Sequence, residues 1–172
     1  MESRSALRLA GVATIIGAVI DIVAPFVIYP RLVQPWPHLV YVAIDLLLLL
    51  GMLGVRSASA RSTGPLALAG FVLALLGVML VRTSSAKVFG EASYMIASSV
   101  WLIGMVIWSL DLLRARGAFR VAAGLWIAAL VIGLAGLVLK DQGPVAHVAK
   151  MSFILGFIAA AVDLLKARGD PK

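Results

Sequence analysis

Asp21 and Asp45 each lie deep inside a long apolar run of this sequence. An ionisable side chain surrounded by hydrocarbon costs about 2.5–3.5 kcal/mol on insertion scales, so such a group usually faces a protein interior or a wet cavity. That makes both carboxylates candidates for chemistry. A carboxyl in these surroundings can act as a general acid on a lipophilic substrate, in isomerisation, cyclisation or epoxide opening, or it can carry protons in a transporter. Asp21 precedes Tyr29 by eight residues and Asp45 follows His38 by seven, which sets both at roughly 10–12 Å below the same interface at 1.5 Å per residue. Packing of their two helices through these faces brings the carboxylates together.

Further polar groups recur at helical spacing. His38, Tyr41 and Asp45 share one face at i, i+3 and i+7, and Glu91, Tyr94 and Ser98 repeat that spacing. Trp101, Met105 and Trp108 continue the second face inward. His147 and Lys150 occupy the first two places of a third such face, with Ile154 in the last. Together these residues outline a polar vestibule with aromatic walls, suited to an amphipathic ligand, in which Tyr41, Tyr94, Trp101 and Trp108 can stabilise positive charge. Asp45 and Asp21 are its candidate catalytic groups. The structural alternative is an interfacial belt, because Tyr, Trp, His and Lys commonly anchor helices at the headgroup level.

In the first apolar run the residues Gly11, Thr14, Ala18 and Asp21 form a small, slightly polar stripe that can approach another helix closely. Pro25, four residues after Asp21, has no N–H to give to the Asp21 carbonyl and predicts a kink there.

Six apolar segments must position these groups: Leu7–Tyr29, Leu39–Val55, Pro65–Val81, Ala92–Leu113, Val121–Leu139 and about Val145–Leu165, each long enough to cross roughly 30 Å of hydrocarbon. Of the 172 residues, 62% are hydrophobic and 13% charged, and the mean hydropathy is +1.06. A water-soluble core of this length cannot hide so many continuous runs. The expected fold is an all-α membrane protein, a single integral domain over 1–172, with six transmembrane helices in three helical hairpins at about 7–55, 65–113 and 121–165. The first segment reads as a span and not a cleaved signal, since it contains Asp21, exceeds twenty residues and lacks a small-residue cleavage site.

The net charge of +7 comes from clusters between apolar segments, which argues for topology and against nucleic acid. Ten Lys and Arg residues fall on the side of the termini (Arg4, Arg8, Arg56, Arg61, Arg114, Arg116, Arg120, Lys166, Arg168, Lys172) and five on the other (Arg31, Arg82, Lys87, Lys140, Lys150). Both termini are therefore expected in the cytoplasm, with the chain in a bacterial inner membrane. The absence of cysteine excludes disulfides and thiolate chemistry. Nucleotide loops, nucleophilic triads and zinc motifs are absent, and no metal or cofactor is expected. Haem ligation by His38 and His147 has no flanking motif behind it.

The hairpins also look repeated. Leu9-Ala10-Gly11, Leu68-Ala69-Gly70 and Ala122-Ala123-Gly124 open the first helices, while Asp111-Leu112-Leu113-Arg114-Ala115-Arg116-Gly117 and Asp163-Leu164-Leu165-Lys166-Ala167-Arg168-Gly169 close two of the second ones. Asp111 with Arg114 and Asp163 with Lys166 read as solvated i, i+3 salt bridges at helix ends. Ala129 and Gly133 have the spacing of a close helix contact.

The run Leu47-Leu48-Leu49-Leu50-Gly51-Met52-Leu53-Gly54, an Arg-containing loop, then Leu66-Ala67-Leu68-Ala69-Gly70-Phe71-Val72-Leu73-Ala74-Leu75-Leu76-Gly77 resembles small uncharacterised multi-pass membrane proteins of actinobacteria and their relatives. The resemblance covers mainly the first three helices and implies a topology, not an activity. Three functional classes stay open: a pocket that binds or converts a small lipophilic molecule, a proton-coupled transporter, and an accessory subunit of a membrane complex. A homo-oligomer or another membrane partner fits each of them.

Overall fold

Proline marks where three of the helices begin. Pro37, Pro65 and Pro144 occupy the first turns of their helices, where a missing N–H costs nothing and the fixed backbone angle favours helix. The computed structural model describes residues 4–115, 118–139 and 143–167, except the side chains of Ser85 and Glu91. It contains α1 (Arg4–Val27), α2 (Trp36–Ser59), α3 (Pro65–Thr83), α4 (Ser93–Arg114), α5 (Arg120–Leu139) and α6 (Pro144–Lys166), with short 3-10 turns at Tyr29–Arg31, Ser84–Ala86 and Gly90–Ala92. No strand occurs among the described residues. All six helices are long and apolar enough to cross a membrane.

The observed helices differ from the expected segments by four residues or fewer at either end. α2 gains most, since Arg56 to Ser59 stay helical and the Ser59 hydroxyl donates to the Val55 carbonyl at 2.7 Å. Of the residues used to argue orientation, Arg116, Lys140, Arg168 and Lys172 lie outside the described residues, as do Gly117 and Gly169 of the closing motifs.

Within the bundle, α3 packs on α4, α4 on α5, α5 on α6, α6 on α1 and α1 on α2. α2 and α3 follow one another in the chain yet share little packing. Facing residues show that paired helices run in opposite directions. Gly17 lies against Ile44 and Leu47, whereas Gly51 and Gly54 meet Thr14 and Ala10. Gly11 abuts the Ala161 carbonyl and Leu165, which joins the start of α1 to the end of α6. The stripe expected on α1 is thus in use, and the Thr14 hydroxyl satisfies itself at the Ala10 carbonyl, 2.7 Å away.

The closest approach is between α3 and α4. Gly70 sits on the backbone of Gly104 and Trp108, Gly77 on that of Trp101, and Gly104 on that of Ala74. Gly70 and Gly104 face one another, and each of the three lets the opposing backbone approach because it has no Cβ. Beside this seam an aromatic cluster fills the interior. The Trp108 and Trp126 rings stack at 6.3 Å, Phe71 meets Trp108 edge-on at 5.3 Å, and Trp126 meets Phe157 at 5.4 Å. Such pairs contribute about 0.5–1.5 kcal/mol each beyond their burial.

The seam between α5 and α6 departs from expectation. Ala129 is buried, but a Cβ on Gly133 would meet nothing within 4 Å. Here the large residue is on α5 and the small one on α6, with the Trp126 indole lying over Gly156. The close fit of this pair is therefore an indole seated on a glycine, and Gly133 takes no part in it.

The two closing motifs also do something else than expected. Asp111 Oδ2 accepts the N–H groups of Gly64 (2.7 Å) and Ala67 (3.2 Å), and Asp163 Oδ2 accepts that of Phe119 (2.7 Å). Each carboxylate therefore caps the N-terminus of the helix it packs beside, where unpaired N–H groups and the helix dipole favour negative charge. Arg114 and Lys166 are not their partners among the described residues. Asp111→Ala should lower stability by about 1–2 kcal/mol and Asp111→Asn by less, since the amide keeps one acceptor. Thermal unfolding in neutral detergent, followed by circular dichroism, reads the difference. Equal stability of all three proteins would exclude a capping role.

Candidate functional site

Asp45 is buried in α2, fourteen residues from that helix's last residue. Arg82 lies seventeen residues into α3, so measured from the shared 60–64 connection the two Cα positions differ in level by roughly 4.5 Å. An arginine side chain spans that gap easily. Its Nε forms an ion pair with Asp45 Oδ2, bridging the two consecutive helices that otherwise pack least. The guanidinium also lies 5.5 Å from the centre of the Tyr41 ring, one turn before Asp45, in a cation–π arrangement.

Tyr29, in the turn after α1, packs its ring on Tyr41 with centroids 4.6 Å apart. Its hydroxyl is buried with no hydrogen-bond partner among the described residues. Burial, reinforced by the neighbouring Tyr41 and by the charge of Asp21, holds this phenol above its ordinary range, and Arg82 partly offsets them. Tyr29 thus sits within electrostatic reach of both acid and base.

Asp21 of α1 accepts a hydrogen bond from Lys150 Nζ of α6 at 3.1 Å. The two carboxylates do not share a partner: Asp21 takes Lys150 and Asp45 takes Arg82. Pro25 stands in the last turn of α1, so the missing N–H opposite the Asp21 carbonyl falls where the helix is about to end. Helical hydrogen bonding continues one residue further, from Ile28 N to the Ala24 carbonyl at 3.0 Å.

The result is a chain of groups, Lys150, Asp21, Tyr29, Tyr41, Arg82 and Asp45, contributed by α6, α1, α2, α3 and the first connection. The acids are the enclosed members, at 14% and 12% side-chain exposure for Asp21 and Asp45, against 44% for Lys150 and 28% for Arg82. Short side chains fix the carboxylates near their helix axes, while the long stems of Lys and Arg carry charge toward the bundle's end. Chemically, the site holds one buried and one half-buried carboxylate, two more exposed cations and a pair of phenol rings.

Four of the residues expected in a vestibule are brought together here: Asp21, Tyr41, Asp45 and Lys150. α3, and not α4, supplies the neighbouring cation. Tyr94 is 65% exposed, and the Ser98 hydroxyl donates to the Met95 carbonyl at 3.0 Å. Trp101 and Trp108 turn into the aromatic core, where Trp101 meets Phe153 at 5.1 Å. His147 is exposed at the start of α6 with Nδ1 2.9 Å from the Gly143 carbonyl, and His38 is exposed at the start of α2. The Glu91 side chain lies outside the described residues.

Sequence reasoning missed Arg82 and Tyr29. Arg82 stood one residue beyond the segment read as apolar, and its charge was assigned to a loop. Measuring depth from the connection between α2 and α3 would have put it within reach of Asp45. Tyr29 was read as the residue at which a helix leaves the membrane. Among the described residues no three His, Asp or Glu side chains form a group able to hold a metal ion. Comparison of the chain with protein-family models, with curated proteins and with solved structures finds no match, and the reading of the site rests on its geometry.

Proposed function

We propose that this chain is a bacterial inner-membrane protein of three helical hairpins, termini in the cytoplasm, whose polar site near the outer surface binds a small lipophilic molecule. One observation carries the reading: two ion pairs, formed by side chains of α1, α2, α3 and α6, lie with a pair of tyrosine rings in contact with one another, within long apolar helices. Intramembrane charges of this kind are expensive and mark ligand or ion pathways. Conversion of the ligand by Asp45 or Asp21 as general acid, and proton-coupled transport, are further uses of the same carboxylates.

Native mass spectrometry of the protein released gently from its membrane tests the proposal. A bound lipophile should accompany the wild type and be lost from Asp45→Asn and Asp21→Asn variants that keep the wild-type helical content. Full retention of the bound molecule by both variants would put the ligand elsewhere. A second reading is favoured by the thin packing between α2 and α3: the Asp45–Arg82 pair closes that seam and does nothing more. Retained binding in a well-folded Asp45→Asn/Arg82→Gln double variant would choose it.

A further inference from the structure

We propose that the ligand of this site is a lipophilic cation, an ammonium or phosphonium centre on an apolar body, which takes the place of Arg82 against Asp45 and the Tyr41 ring. The inference rests on the binding-site reading above and adds the ligand's charge to it.

The argument turns on which charges can leave. Asp21 and Asp45 project from the interior of long helices on side chains too short to reach water, and both are largely buried. Arg82 is the next-to-last residue of α3, followed by exposed residues, and its side chain is more than twice as exposed as that of its partner. Lys150 is similarly placed over Asp21, near the start of α6. An incoming ligand therefore displaces the cations outward, at little cost, and meets two fixed carboxylates. An anion would have to drive a buried carboxylate from Arg82, and neither acid has anywhere to go.

The aromatic partners favour the same charge. Tyr41 already holds a guanidinium over its face, and Tyr29 extends that face with a second ring 4.6 Å away. Phenol faces attract ammonium and phosphonium centres as they attract guanidinium, and most strongly where water is scarce. Arg82 is in effect an internal occupant of a cation site, and the apolar flanks of α2 and α3 remain for the ligand's body.

Binding of radiolabelled tetraphenylphosphonium to the full-length protein in dodecyl maltoside tests this. Wild-type protein should bind the probe, dodecyltrimethylammonium should compete, and dodecanol and dodecanoate should not. Asp45→Asn should weaken binding about tenfold or more, whereas Arg82→Gln, freed of the internal competitor, should bind about tenfold more tightly. Tyr41→Phe should keep wild-type affinity and Tyr41→Leu should lose about fivefold. Because Arg82→Gln leaves Asp45 unpaired, Arg82→Lys serves as the second variant, again binding more tightly than wild type. Added probe should raise the thermal midpoint of Arg82→Gln more than that of the wild type, as expected for a ligand that replaces the lost partner. Weaker binding in both Arg82 variants would overturn the displacement. Binding of radiolabelled dodecanol or dodecanoate, sensitive to Asp45→Asn, with no binding of the cation would refute the charge and leave the lipophile site standing. No binding of any of these probes to wild type or to either Arg82 variant would remove both.

Discussion

Arg82→Leu should destabilise the bundle by about 3 kcal/mol, the loss expected when one partner of a largely buried ion pair is removed. Asp45, 12% exposed beside Arg82, is then left with no counter-charge from α3 on a side chain too short to reach solvent beyond the bundle. Asp45→Asn should cost far less, about 1 kcal/mol, because Arg82 is the more exposed partner and its long stem can carry the guanidinium to solvent. The asymmetry is the informative part. The Asp45→Asn/Arg82→Gln double variant should return to within about 1 kcal/mol of the wild type, since it leaves no unpaired charge behind. Unfolding midpoints in mixed micelles of dodecyl maltoside and sodium dodecyl sulfate give all three values. An Arg82→Leu midpoint equal to the wild type would mean that the ion pair holds nothing together.

An effect at least as large is expected where α3 meets α4. Gly77→Val and Gly104→Val place a branched side chain into the backbone of the facing helix, Trp101 in one case and Ala74 in the other. Backbone cannot swing aside as a side-chain tip does. Overpacking of ordinary cores costs about 1–3 kcal/mol, and these positions should lie at or above the top of that range. The aromatic cluster must suffer with them, since Trp101 and Trp108 are held by this contact. Gly124→Ala and Gly133→Ala provide the contrast. Neither Cβ would meet a neighbour within 4 Å, so the gain in helix propensity should leave stability unchanged or about 0.5–1 kcal/mol higher. The same micelle titration, with near-ultraviolet circular dichroism to follow the tryptophans, separates the two classes. Four glycines with equal tolerance would contradict the packing described here.

Glycine was poorly legible in the sequence for a physical reason. Gly11, Gly70 and Gly124 occupy matching places in three similar first helices. Gly11 is pressed against α6, Gly70 against α4, and Gly124 faces open space. A helix repeats its own surface every turn, but the sequence does not say which neighbour covers that surface. In a membrane the difficulty grows, because lipid and protein are both apolar and hydrophobicity no longer marks the inward face.

The carboxylates divide in the same way. Asp21 and Asp45 stood out because charge within a long apolar run is expensive whatever surrounds it, and that cost is local. Their pairing was not legible: Lys150, expected in the same vestibule, is 129 residues from Asp21, and Arg82 belongs to the helix after Asp45. Asp111 and Asp163 show the converse. Their repeated motifs were plain to see, but the i, i+3 cations beside them in sequence are not what they bond; each reaches across to the start of a neighbouring helix.

The sequence by itself determined that six apolar helices exist, where they begin and end to within a turn or so, and which two acids stand at odds with their surroundings. These follow from hydrocarbon thickness, backbone hydrogen bonding and proline geometry, all properties of one segment at a time. Only the tertiary structure decided which cation answers which acid, that the Tyr29 and Tyr41 rings meet beside them, and that the tryptophans of α4 belong to the core. Those are contacts between surfaces of nearly identical composition, chosen by the fit of particular side chains against particular gaps.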